Sequence, residues 1–379
     1  MKRKVHILFF CPHLGNGGAE IHLVRLVKAL DRDLFRKTIV TSQAGGSYEA
    51  LLDDVDVEIV SLDVYWKRAS LRMIASVPRL ARSIRQADPD IVFSIMDYAN
   101  VFCLLAHRLA SHRSIVVVDV QTSMVQSLRF APQMFNRVVF AMMKRGYSRA
   151  DKIVCLSAGV AKELQQVLPR TRPSQYAVIH NIGLDAVVES VITHKRKRQI
   201  CVCGRLMRLK GYDLVIEAVA KLRSRYPDIS LVVVGSGPEE HALRRHAEKC
   251  GVGPCTFFPG FVANPAAIIA ESELLIVSSH YEGFCNVIVE AMALGTPVVS
   301  TDCPYGPGEI IQSGRNGVLV PVGDVDALAK AMTEILDNPD LYARIQTAGV
   351  ERSMDFVPKK IAQDYEELLL GLLPRERIS

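Results

Sequence analysis

Short apolar runs alternate along this chain with stretches whose apolar residues recur at helical spacing. Val5–Phe10, Thr38–Thr41, Val57–Leu62, Ile91–Ile95, Ile115–Val118 and Lys152–Leu156 predict strands. Ile21–Leu30, Leu71–Arg85, Val101–Ala110, Arg137–Arg149 and Ala158–Leu168 predict the helices between them. Strands built almost wholly from Val, Ile and Leu are buried on both faces. Their alternation with helices implies a parallel sheet covered on both sides. A break follows Tyr176–Ile179 and His180-Asn181-Ile182-Gly183. The polar run Thr193–Arg198 reads as a solvated linker rather than a nucleic-acid patch.

The rhythm then restarts. Gln199–Cys203, Leu231–Gly235, Cys255–Pro259, Leu274–Ser278, Thr296–Thr301 and Gly317–Val320 predict strands. Gly211–Tyr226, Pro238–Cys250, Asn286–Leu294 and Val325–Asp337 predict helices. Two α/β domains are therefore expected, residues 1–185 and 186–357. Ligands of open α/β sheets sit beyond the carboxyl ends of the strands, and two such domains can face those ends across one central cleft.

Length and composition keep this picture. The chain has 379 residues, 49% hydrophobic and 23% charged, enough for two cores without staples. No apolar run reaches the ~20 residues of a membrane span. The start is basic then apolar, but Pro12-His13-Leu14-Gly15 follows at once, so it reads as strand and glycine loop rather than signal peptide. Nine cysteines lie scattered in apolar segments without C-x-x-C or zinc spacing, which suggests reduced thiols and a cytoplasmic protein. The net charge is +6 but uneven: residues 1–185 carry 25 Lys and Arg against 16 Asp and Glu.

Three constellations carry candidate chemistry. Gly15-Asn16-Gly17-Gly18-Ala19-Glu20 joins the first strand to the first helix; it reads as an anion-approach turn or as a plain tight turn. Gly204-Arg205-Leu206-Met207-Arg208-Leu209-Lys210-Gly211 follows a strand and opens a helix. There the fork of Arg205 and the compact charge of Lys210 suit a diphosphate that gains charge as its sugar leaves. Glu282-Gly283-Phe284-Cys285-Asn286-Val287 also runs into a helix, whose first amides would face an anion. Glu290 lies two turns further, ~12 Å from Glu282 along an ideal axis, too far to share one bond but placed to hold the other end of a long ligand. D-x-D occurs as Asp31-Arg32-Asp33 and Asp54-Val55-Asp56, which read as surface charge.

With these pieces, the chain resembles glycosyltransferase family four, the large retaining group of GT-B fold, α/β with two Rossmann-like domains. His180–Gly183, Gly235-Ser236-Gly237-Pro238, Glu290-Ala291-Met292-Ala293-Leu294-Gly295-Thr296-Pro297, Gly306-Pro307-Gly308-Glu309 and Asn316-Gly317 match in order, specifically in the second half and loosely in the first. The resemblance implies a donor nucleotide-diphosphate sugar, UDP- or GDP-linked. Arg205 and Lys210 would bind its diphosphate, Glu282 the sugar hydroxyls and Glu290 the ribose. Gly204, Gly283, Phe284, Cys285 and the amides of Asn286 and Val287 would line the donor site. Gly17 and Gly18 would approach the phosphates, and Gly260-Phe261-Val262 would border the base. A last helix within 358–379 would cross back onto the first domain. Many relatives carry a His after the strand matching Ile115–Val118; this chain has Asp119-Val120-Gln121-Thr122-Ser123 instead, so Asp119, Gln121 or Thr122 takes that role on the acceptor side.

The resemblance implies retention, with the protein's cations in place of a metal and no cofactor. The acceptor expected is a glycan or polyprenyl-linked sugar, as in bacterial surface-polysaccharide assembly. Tyr65–Ala87 holds six basic and no acidic residues, and Val120–Ala150 five and none, both interleaved with aromatic residues and Met. Such helices suit peripheral contact with an anionic membrane on its cytoplasmic face. A nucleotide-sugar epimerase of the same architecture is the nearest alternative, and a non-enzymatic membrane-binding protein the next. No nucleic-acid partner is expected.

Overall fold

The computed structural model describes residues 3–15, 17–66, 69–130, 134–184, 195–262 and 264–374. The chain forms two compact units: unit 1 is Met1–Ile182 with Pro358–Ser379, and unit 2 is Gly183–Val357.

Unit 1 runs β1 (Val5–Cys11), α1 (Gly18–Ala29), β2 (Phe35–Thr41), β3 (Glu58–Ser61), α2 (Ala69–Ala87), β4 (Ile91–Ile95), α3 (Asp97–Ala110), β5 (Ile115–Val120), α4 (Met124–Phe130), α5 (Met134–Gly146), β6 (Lys152–Cys155), α6 (Ala158–Val167) and β7 (Tyr176–Val178). Its strands form one parallel sheet, ordered β3-β2-β1-β4-β5-β6-β7 among the described residues. The central strands β1 and β4 are buried at every position, as their largely apolar runs, interrupted only by His6 and Ser94, require.

Unit 2 runs β8 (Arg196–Cys203), α7 (Tyr212–Leu222), β9 (Ser230–Val234), α8 (Glu240–Lys249), β10 (Thr256–Gly260), α9 (Ala266–Glu271), β11 (Ser272–Val277), α10 (Asn286–Ala293), β12 (Val298–Thr301), α11 (Pro307–Ile310), β13 (Val318–Val320), α12 (Val325–Asp337) and α13 (Pro339–Ser353). This sheet is also parallel, ordered β10-β9-β8-β11-β12-β13. The last helix, α14 (Pro358–Gly371), belongs to unit 1. Its Ile361, Tyr365 and Leu369 join the same core as Phe9, Phe93 and Leu23.

Two expectations change. The basic run is not a linker throughout: Thr193 and His194 lie outside the described residues, but Arg196–Arg198 begin β8. Their charges are met there, Arg196 by Glu271 at 2.8 Å and Arg198 by Asp228, while Glu273 accepts the Arg198 backbone N–H. The pattern also passed over α4, α9, α11 and α13. Helix α13 is opened by Asn338, whose side chain accepts from the Leu341 amide at 3.0 Å. The two D-x-D segments are exposed and precede β2 and β3, at the amino ends of the strands.

Gly211 sets the approach of the loop after β8 to the end of β11. Its φ is +59°, and a Cβ there would fall 2.4 Å from the Ser278 carbonyl oxygen. Gly211→Ala should therefore cost more than ~2 kcal/mol, from left-handed strain together with the clash. Urea unfolding checks this; an unchanged midpoint would show that the approach can relax.

Candidate functional site

In unit 2 the strands β10, β9, β8, β11 and β12 are neighbours in that order, so the loops at their carboxyl ends share one edge. Backbone bonds stitch these loops together. The Gly204 amide donates to the Val234 carbonyl at 3.0 Å, and the Gly235 amide to the Gly260 carbonyl at 2.9 Å. The His280 amide reaches the Leu209 carbonyl at 2.8 Å, and the Ser278 hydroxyl reaches the Lys210 carbonyl at 2.8 Å. The turn 208–210 is thereby laid against the segment after β11.

That stitching brings Lys210 to Glu282. Lys210 Nζ lies 2.6 Å from Glu282 Oε1, which also accepts the Ser279 hydroxyl at 2.6 Å. Thr301 in turn donates its hydroxyl to the Ser279 carbonyl at 2.6 Å, and the Glu282 amide reaches the Pro304 carbonyl at 3.2 Å. Burial pulls the Lys210 ammonium down, but Glu282, Cys285 and Tyr212 outweigh it, so the group stands well above the ordinary lysine value and stays charged. Arg205 is exposed, and its side chain has no hydrogen-bond or ion-pair partner among the described residues, although its carbonyl accepts from the Met207 amide at 2.8 Å. The site therefore presents one seated cation and one reaching cation.

Helix α10 begins beside this pair. Cys285 precedes it with φ +82° and ψ +69°, and no side chain caps the helix. The left-handed turn aims the first backbone N–H groups, those of Asn286 and Val287, out of the helix end. The Cys285 thiol is buried and pushed well above its ordinary value, first by burial and then by Glu282, so it is a packed thiol rather than a nucleophile. Glu290 is half-buried on α10, near enough to Cys203 to add to the burial that raises that thiol to about 12. Gly260 ends β10 and the exposed Phe261 follows it, with Val262 half-buried next to them; Gly204 and Gly283 are half-buried on the same edge. Phe284 departs from expectation: its ring is 1% exposed and packs edge-on against Phe356 at 5.3 Å, so only its backbone can meet a ligand. Ser279, which fixes Glu282, was passed over, although a serine three residues before the acid was its signal.

In unit 1, Gly17 caps α1 and Gly18 is its first residue, at the carboxyl end of β1. A Cβ on Gly17 would fall 2.1 Å from Glu20 Oε2. Glu20 is buried and lies 3.6 Å from His13 Nδ1. At the end of β5, Asp119 is fully buried, with Oδ1 accepting from Gln121 Nε2 at 2.8 Å and Oδ2 from the Tyr365 hydroxyl at 3.1 Å. Both oxygens are engaged inside, so Asp119 does not present itself to a ligand. Gln121 and Thr122, both half-buried, do lie at the edge. The histidine against Asp119 comes from α1: His22 Nε2 is 3.7 Å from Oδ2, in the interior. No local pattern could show these partners, since Tyr365 is 246 residues from Asp119.

Comparison with known proteins followed the same division. A Glycosyltransferase Family 4 model matches residues 16–182, and a Glycosyl transferases group 1 model matches 188–352. The lipopolysaccharide core biosynthesis glycosyltransferase LpsE of Rhizobium meliloti is 25% identical over 368 residues, 94% of this chain and 97% of that protein. The N-acetylgalactosamine-N,N'-diacetylbacillosaminyl-diphospho-undecaprenol 4-alpha-N-acetylgalactosaminyltransferase of Campylobacter jejuni is 26% identical over 372 residues, 96% and 98% of the two. The crystal structure of Anabaena HepE in complex with UDP and glucose shares the fold, with TM-score 0.79 at 24% identity over 96% of this chain and 99% of that one.

Buried acids under the unit 1 edge give a pH prediction. Asp97 is 4% exposed, and burial, with Asp119 and Glu163 nearby, raises it to about 8; burial raises Asp119 to about 7. Both bind a proton more tightly folded than unfolded. The stability they lend is complete below about pH 4, the unfolded value, and is lost as pH rises through 7 and 8. Urea midpoints should fall between pH 5 and pH 8.5 scanned at ~0.5-unit steps, and Asp97→Asn should flatten the fall. An equal slope in the variant would remove Asp97 from the account.

Proposed function

Because the chain belongs to glycosyltransferase family 4, with the GT-B architecture of two Rossmann-like domains, we propose that it moves a sugar from a nucleoside-diphosphate sugar to a glycan or lipid-linked acceptor with retention at the reacting carbon. The observation that carries this reading is the Lys210–Glu282 pair beside the amino end of α10, with Arg205 extended from the same edge.

Arg205, Lys210 and the α10 amides stabilise the charge that collects on the diphosphate as the bond to the sugar breaks. With those cations in place no metal is required. Glu282, its Oε1 held by Lys210 and Ser279, accepts hydroxyl hydrogens of the donor sugar. Glu290 accepts those of the ribose, and the base lies along Gly260-Phe261-Val262. In the transfer, the sugar–phosphate bond breaks and a bond to the acceptor oxygen forms on the same face. The acceptor's proton passes to the departing phosphate oxygen. HepE was crystallised with UDP and with UDP-glucose, which makes UDP the first base to try. The undecaprenol in the Campylobacter relative's name favours a lipid-linked acceptor.

No described helix is long and apolar enough to cross a membrane. We read unit 1 as docking peripherally on an anionic cytoplasmic surface instead. Tyr65, Trp66 and Ile74 stand exposed at and beside α2, and Met134 and Val138 on α5; α2 packs on α3, and α3 on α5. Arg82, Arg85, Arg137 and Lys144 lie on the same helices. Lys67 and Arg68 fall outside the described residues, and Arg79 is engaged with the carbonyls of Leu62 and Asp63.

Calorimetry should show UDP binding to the purified chain. Arg205→Ala and Glu282→Ala should each slow donor consumption by ~10²–10³-fold. Near-normal turnover in either would refute the site. The protein should also pellet with phosphatidylglycerol-containing vesicles at low salt and be released by salt. Recovery in the supernatant at low salt would sink the membrane reading.

A further inference from the structure

Unit 1 buries a ring of hydrogen bonds that the transfer chemistry leaves unused. The Ile182 amide donates to His22 Nδ1 at 3.2 Å, so this nitrogen is the acceptor and Nε2 carries the proton. Nε2 then donates to the Tyr365 hydroxyl at 3.2 Å, and that hydroxyl donates to Asp119 Oδ2 at 3.1 Å. Asp119 Oδ1 accepts from Gln121 Nε2 at 2.8 Å, and Gln121 Oε1 accepts from Asn181 Nδ2 at 2.9 Å. Asn181 adjoins Ile182, which closes the ring. Arg25 holds the same point from below, donating to the Ile182 carbonyl at 3.1 Å.

His22, Tyr365 and Asp119 are fully buried. Burial holds His22 near 3, so it stays neutral and keeps this tautomer. The groups facing Asp119 from neighbouring elements are His22 on α1, Asp97 on α3, Tyr147, Cys155 on β6 and Tyr365 on α14; behind them Arg25 faces His22, and Glu163 on α6 faces Asp97. A buried polar chain is costly where its members go unsatisfied, and here the ring engages the side chains of His22, Tyr365, Asp119 and Gln121 in turn.

The ring joins three places. Asn181 and Ile182 end unit 1 before the chain enters unit 2; α14 is the chain's return; Gln121 stands at the carboxyl end of β5, where open sheets take ligands. We propose that Tyr365 is a positioning residue for sugar transfer, holding through Asp119 the side chain of Gln121 at the carboxyl edge of the unit 1 sheet. Both ends of the Gln121 amide are fixed, one by Asp119 and one by Asn181, so its orientation is set before any acceptor arrives. The proposal rests on the transferase reading.

Tyr365→Phe keeps the ring packing and removes the hydroxyl. In the full chain, hydrogen exchange of peptides spanning 117–124 and 178–184 should quicken about fivefold, the equivalent of one lost hydrogen bond. UDP affinity by calorimetry should stay within about twofold, since the nucleotide groups lie in unit 2, while kcat falls about tenfold with donor KM little changed. The acid limb of the kcat profile should move to higher pH, because Asp119 loses a donor that favours its ionised form. Gln121→Met, cut at the half-exposed side of the ring, should give the same kcat loss without disturbing α14, and serves if Tyr365→Phe does not fold. Quickened exchange confined to α14, or wild-type kcat in both variants, overturns the proposal. Failure of the wild-type chain to bind UDP would instead overturn the transferase reading.

Discussion

An ammonium and a carboxylate 2.6 Å apart, mostly withdrawn from water, organise the edge of unit 2. Such a pair gains little net stability, because desolvation offsets its attraction. Its worth lies in what it presents. Lys210 is kept charged, and one oxygen of Glu282 is occupied, so the other is aimed by exclusion. The loops must meet for this to happen. Gly211 lets them meet, Ser278 and His280 bind them, and Ser279 with Thr301 holds the acid from the far side. Loosen any of these and a long flexible lysine would point into solvent.

How much of this could be read from the chain depended on range. The alternation of strands and helices was legible because β1, β4 and β11 are built mainly from apolar residues. The short helices α4 and α9 were not, since six or seven residues do not establish a period. Helix α13 was missed for another reason: few of its residues are buried, so its apolar stripe is weak. At the site, Arg205, Lys210, Glu282 and Glu290 stood in short strings whose glycines and charges mark the loops. Phe284 was carried over with its motif as part of the donor site, whereas here its ring fills the space against Phe356. Asp119 misled in the same manner. A carboxylate at a strand end suggests a ligand, but the side chain faces α1 and α14, and its partners are far away in sequence.

Some of the backbone strain lies at these same edges, while Asp88, Ser111 and Arg198 carry positive φ elsewhere. Met96 after β4, and Cys285 and Tyr305 in unit 2, are non-glycine residues with φ of 80°, 82° and 69°. Each costs on the order of 1–3 kcal/mol and persists only where surrounding structure over-determines it. The two units thus place rigid sheets beneath and strained turns above, the usual division between scaffold and working surface.

Helix α14 gives unit 1 a history as well as a shape. Its Ile361, Tyr365 and Leu369 fill the interior of a domain whose other strands end at Val178. During synthesis that interior must wait for the whole of unit 2 to be made, roughly 10–40 s at ordinary ribosome speeds. The later unit, continuous in the chain, can finish first. The early one spends that interval with an open slot lined by Phe93 and His22, a surface that a chaperone could guard until the last helix arrives.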